Sequence, residues 1–139
     1  MQAIEIRALL QHAVADYNDP ARRDRYFELY SSDAVVHSFL GPLVGRGAIR
    51  RFYQDHWAAF PDAKLSVYDV IVEGGFAACR FRIEGTHQAA YMGLPATFQK
   101  TTLDGMTMLR FSNGRCVERW SQADVMGLMR QLGAVPAQA

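Results

Sequence analysis

From Leu65 to Gln122 the chain reads as one long β region, in which apolar and polar residues alternate between turn signals. This stretch decides what the remainder can be. Strands are predicted at 65–73, 76–88, 98–112 and 115–122, joined by Gly74-Gly75, a longer loop around Gly93-Leu94-Pro95, and Ser112-Asn113-Gly114. Short turns reverse a strand onto its predecessor, whereas a parallel crossover needs about a dozen residues or more. The sheet is therefore expected to be mostly antiparallel, with one face in need of cover.

The first sixty residues supply that cover. Ile6, Leu9, Leu10, Ala13, Val14 and Tyr17 recur at helical spacing, predicting an amphipathic helix from Ile4 to Tyr17. Asn18-Asp19-Pro20 ends it, and Asp19 with Pro20 opens a second helix to about Tyr30, whose apolar stripe is Tyr26, Phe27, Leu29 and Tyr30. Val35–Leu40 is a short strand closed by Gly41-Pro42. Ile49, Phe52, Tyr53, His56 and Phe60 mark a third helix, stopped by Phe60-Pro61-Asp62. After the last strand, Val125, Leu128, Met129 and Leu132 mark a final short helix ending at Gly133 with Pro136 beyond it. Helices gathered apart from antiparallel strands define an α+β domain in which a curved sheet wraps one face around the helices. With 139 residues, half of them apolar, residues 1–139 are read as a single domain with one core.

Charge and cysteine content exclude several functions. Fifteen Lys and Arg against fourteen Asp and Glu leave no basic block for phosphates, so no nucleic-acid partner is expected. Cys79 and Cys116 sit in alternating apolar segments without metal spacing and are read as reduced core thiols. No segment has the apolar run of a signal peptide or membrane span, so a soluble cytoplasmic protein with no membrane partner is expected. No zinc, Walker or dinucleotide motif occurs, and neither a metal nor any other cofactor is expected.

Local motifs carry a resemblance. Phe60-Pro61-Asp62, Gly85-Thr86-His87, Met92-Gly93-Leu94-Pro95, Gly114, Trp120, Asp124 and Gln131-Leu132-Gly133, in this order and spacing, resemble the SnoaL-like polyketide cyclase, or predicted ester cyclase, family. The resemblance implies the cone-shaped α+β barrel of the nuclear-transport-factor-2-like superfamily. It also implies aldol-type ring closure by an acid and a base, without metal or organic cofactor. An ungapped match from Gly105 to Gly133 places the family's catalytic histidine at Thr107 and its catalytic aspartate at Ser121. Neither hydroxyl can act unaided as a base near neutrality.

Other groups are therefore needed if the chain is an enzyme. Strand parity puts His87 on the face of Cys79, Phe81 and Ile83, and His37 on that of Val35 and Phe39; both are expected to point inward as acid/base candidates. Asp124 is a third candidate, by its place at the mouth of the fold, and equally a helix cap. Thr107 and Ser121 would hold a developing oxyanion. Tyr17, Tyr53, Trp57, Met92, Phe98 and Trp120 are expected around a hydrophobic, carbonyl-bearing small molecule. His56 is read as structural and His12 as solvated, and Asp104 is expected to pair with an arginine on the outer sheet face. That face, with Arg80, Arg82, Met106, Met108 and Arg110, suits a homodimer. The alternatives are a noncatalytic binding module and a hydroxylase or epoxide hydrolase using the same pocket.

Overall fold

The computed structural model describes residues 2–135; Pro136, expected after the final helix, lies outside them. The elements run α1 (Ala3–Tyr17), a 3-10 helix (Arg23–Leu29), β1 (Tyr30–Ser38), β2 (Gly41–Val44), α2 (Arg46–Ala59), β3 (Lys64–Glu73), β4 (Phe76–Thr86), β5 (Lys100–Ser112), β6 (Arg115–Ala123) and α3 (Val125–Gln131). The six strands form one open sheet in the order β2-β1-β6-β5-β4-β3. All neighbours are antiparallel except β1 and β6, which run parallel. With α1 against β3 and α2 against β1 and β2, this is the α+β cone that the sequence implied, with its sheet not closed.

Three local departures from expectation have physical causes. The predicted second helix is a 3-10 segment, because Arg23, Tyr26 and Leu29 are all buried and their three-residue spacing matches three residues per turn. Arg23 is drawn inward to donate to the carbonyls of Tyr17, Pro61 and Ala63 at 2.9, 2.9 and 3.0 Å, tying this segment to α1 and the end of α2. Gly41-Pro42 does not end the β structure but begins β2, an outermost strand; Gly41 turns the chain at φ 94°, and an edge strand tolerates the missing N–H of Pro42. The third departure lies in β6. Arg110 pairs with Glu118, yet Phe111 pairs with Cys116, so Val117 is an extra residue, a β-bulge that exchanges the faces of the residues beyond it.

The core lies between the helices and the inner sheet face. Tyr17, Phe27 and Tyr30 are fully buried there with Ile6, Ile49 and Leu109. On the outer face Asp104 pairs with Arg82 at 2.8 Å, as strand parity predicted.

Candidate functional site

Between α1, α2 and the inner faces of β4, β5 and β6 lies a cavity of about 80 Å³. One water needs roughly 10–15 Å³ by this measure, so there is room for a small cluster of waters or one ring of a ligand. The walls are mostly aromatic and aliphatic: Phe52 and Tyr53 from α2, Phe81 and Ile83 from β4, Leu103 from β5, and Tyr91 from the loop after β4. The polar groups are few, and two sets of them stand apart in chemistry.

The first set is built on Arg119. Its Nη1 donates to the hydroxyls of Tyr26, Tyr30 and Tyr53 at 3.1, 2.8 and 3.1 Å. Its Nε donates to Thr107 Oγ1 at 2.8 Å, and that hydroxyl donates to the Trp120 carbonyl at 3.0 Å. The tyrosine oxygens also bond one another, Tyr26 to Tyr30 at 2.8 Å and Tyr26 to Tyr53 at 3.0 Å. Burial opposes the charge of Arg119, but the surrounding oxygens of Tyr30, Tyr53 and Tyr26 outweigh it and hold its pKa well above the ordinary arginine value. Burial pushes Tyr26 and Tyr30 well above the usual phenol range, so their hydroxyls stay protonated. The cluster therefore carries a positive charge. No carboxylate among the described residues forms an ion pair with Arg119.

The second set is a neutral pair. Tyr17 Oη lies 2.6 Å from His56 Nε2, one residue from α1 and one from α2. Burial, with the nearby cation of Arg23, pushes the imidazole down to about 4. Burial likewise raises the Tyr17 phenol above its usual range. At neutral pH both groups are uncharged, and His56 has a lone pair to offer.

Of the residues that the sequence pointed to, Tyr17, Tyr53 and Ser121 line this cavity. Trp57 stands behind it, edge-on to Tyr17 at 5.3 Å in the aromatic core. Thr107 lies beneath Arg119, its hydroxyl committed to two hydrogen bonds. The remainder sit elsewhere.

His37 and Trp120 correct the strand reading. Both point to the outer face, where their rings stack at 5.6 Å and His37 meets Glu118 at 2.8 Å. In β1 the inward residues are Val36 and Ser38, and Phe39 reaches the cavity only because it follows the end of the strand. In β6 the bulge at Val117 turns Trp120 outward and Arg119 inward. His87 is fully buried but is not among the residues lining the cavity. It stacks on Phe60 at 5.4 Å, and its Nδ1 accepts from the Thr97 backbone N–H at 3.2 Å, which places it as a clasp on the following loop. Asp124 caps α3 by accepting from the Gly127 N–H at 2.9 Å, and it does not line the cavity. Met92 and Phe98 are exposed, at 46% and 71%. The loop doubles back on itself, with Phe98 N–H on the His87 carbonyl and Tyr91 bridged to Leu94, which turns these two outward while Tyr91 points in.

Sequence reasoning passed over Arg119, Tyr26 and Tyr91 and set His56 aside as structural. For Arg119 no signal preceded the bulge. For His56 the signal was present, because it shares a helix stripe with the cavity residues Phe52 and Tyr53.

An open α+β cone with an aromatic cavity against its inner sheet face belongs to the nuclear-transport-factor-2-like class of folds. Residues 8–132 match the family model of the SnoaL-like polyketide cyclases, and the chain belongs to that family. Among solved structures it is similar to AclR, a proposed hydroxylase from Streptomyces galilaeus, with a TM-score of 0.86 and 28% identity over 97% of this chain and 100% of that one. It is also similar to IdmH, a proposed polyketide cyclase from Streptomyces antibioticus, with a TM-score of 0.76 and 27% identity over 91% of this chain and 96% of that one. TsrD from Streptomyces laurentii shares the fold, with a TM-score of 0.82 and 24% identity over 97% and 99% of the two chains. No curated protein sequence matches the chain. Among the described residues no helix is long and apolar enough to cross a membrane, and no group of three or more His, Cys, Asp or Glu could hold a metal.

Proposed function

We propose that the protein catalyses acid/base chemistry on a hydrophobic, carbonyl-bearing small molecule, of cyclase or isomerase type, with the Tyr17–His56 pair moving the proton and Arg119 stabilising the oxyanion. The observation that carries this reading is the placement of a neutral imidazole and a charged guanidinium on the walls of one aromatic cavity. A carbonyl oxygen at Arg119 would gain charge as its α-proton leaves, and a fixed cation in a low-dielectric site stabilises that charge without reorganising. A base of pKa about 4 is weak. It suits substrates whose own proton is acidic, such as one between two carbonyls. Ser121, also on the wall, can hydrogen-bond a second carbonyl. Phe52 and Tyr91 line both this cavity and a larger outer cleft that also includes Leu40, Leu43 and Met92, so the body of a longer substrate can rest outside while one ring enters.

Methyl benzoylacetate, an apolar β-keto ester, tests the proposal. Exchange of its α-protons for deuterium, followed by proton NMR in heavy water, is expected to exceed the buffer rate with the wild-type protein and to fall about tenfold or more in His56→Phe. A wild-type rate equal to that of buffer overturns it.

The same reading includes a twofold homodimer through the outer sheet face. Met106 and Met108 are exposed there at 62% and 41%, between the Arg82–Asp104 and Arg110–Glu118 pairs. Light scattering is expected to give twice the chain mass, and Met108→Lys to reduce it to a monomer.

A further inference from the structure

Arg119 faces the cavity with neutral partners only. A guanidinium taken out of water and given no carboxylate keeps an unanswered charge, and burying a charge without an opposite one is costly. Its five N–H donors are also not used up: Nη1 and Nε have partners in Tyr26, Tyr30, Tyr53 and Thr107, and among the described residues Nη2 has no hydrogen-bond partner. Arg119 keeps accessible surface even though it is deeply enclosed, and it lines both this cavity and a smaller one beside Leu10, Val14 and Thr107, so that surface opens inward. The acidic and basic groups nearest the outer cleft, Asp55 and Arg51, line that cleft and not this cavity. Nothing acidic on the cavity wall competes for the guanidinium.

We infer that the cavity selects ligands that already carry an ionised oxygen, a carboxylate, on a small apolar body, and that this oxygen is the counterion of Arg119. The inference rests on the reading of this cavity as the substrate site, and it narrows the substrate from any carbonyl compound to an anionic one. The aromatic wall receives the body by burial, while the free guanidinium edge and the tyrosine hydroxyls receive the oxygen. A neutral ligand of the same shape would leave the cation as it was.

Benzoate and benzamide differ in charge and hardly in shape, so titration calorimetry with this pair reads the selection directly. Benzoate is expected to bind the wild-type protein about tenfold or more tightly than benzamide. Arg119→Gln is expected to abolish the difference and Arg119→Lys to keep part of it. Equal or tighter binding of benzamide, no binding of either at roughly 10 mM, or a preference that survives in Arg119→Gln overturns the inference. So does tyrosinate absorbance in the free protein at neutral pH, because the counterion would then be internal. Carboxyl-labelled benzoate gives a measurement that needs no variant: its bound carboxyl pKa is expected to fall by roughly one unit or more, and an unchanged value overturns the inference. Selective benzoate binding without α-proton exchange would sink the catalytic proposal alone. Exchange without charge selection would sink this inference alone.

Discussion

Acidifying the solution should cost this protein stability through His56 in particular. The imidazole is neutral in the folded protein, with its pKa pushed down to about 4 by burial, against an ordinary value of 6.5. Between those values the unfolded chain binds a proton that the folded protein refuses, so the contribution of this group is complete above the ordinary value and is lost as pH falls toward 4. At 1.36 kcal/mol per unit, moving from about pH 7 to about pH 5 removes about 2 kcal/mol through this one side chain. That window lies above the range in which carboxylates ordinarily titrate. Urea unfolding at the two pH values, in wild type and in His56→Phe, isolates the effect, because whatever the other histidines contribute is common to both proteins. The variant starts less stable by about 1–3 kcal/mol, since Tyr17 loses its partner at 2.6 Å, but its stability should fall about 2 kcal/mol less between the two pH values. Equal pH dependence in the two proteins, or a His56 resonance titrating at the ordinary value, would refute the argument.

Other perturbations follow from single contacts. His37→Ala and Trp120→Ala, both on the outer face, should leave benzoate affinity unchanged within about twofold by calorimetry, and a larger loss would contradict their placement. Asp124→Ala removes the cap of α3 and is expected to lower stability by about 1 kcal/mol in urea while leaving α-proton exchange intact. Gly105→Ala would press its new methyl against the Phe81 ring and within 2.6 Å of the Gln122 carbonyl oxygen, costing about 1–3 kcal/mol. Adding Phe81→Leu should return part of that, as read by thermal unfolding.

The architecture was legible because long strands and amphipathic helices carry their period along many residues. β3 to β6 fall within two residues of their expected bounds, and Ile6, Leu10, Ala13 and Tyr17 bury the predicted face of α1. The site was less legible, because which side chain enters a cavity depends on where a strand begins, ends or bulges. His37 lies one position from inward-facing Val36, and a parity counted from Val35 rather than Val36 reverses the answer. Met92 and Phe98 belong to a loop whose path is set by hydrogen bonds among His87, Thr97 and Gln99, and no periodicity reports those. The pairing of β1 with β6 is parallel and joins segments some eighty residues apart, as in His37 with Trp120, so the neighbour that aligns Val36 with Arg119 was not visible locally.

The extra residue at Val117 has a bearing on how such a site can change over time. Substituting one side chain alters one chemical group. Removing Val117 would restore regular pairing with Cys116, Arg119 and Ser121 all still inward, whereas removing a residue beyond the bulge, Arg119 itself, would move Trp120 and Gln122 into the inward places of Arg119 and Ser121. The cavity would then exchange a cation and a hydroxyl for an indole and an amide in one event. For this fold, gain or loss of a single codon in the last strand is thus a route between unrelated chemistries that no series of point changes offers as directly.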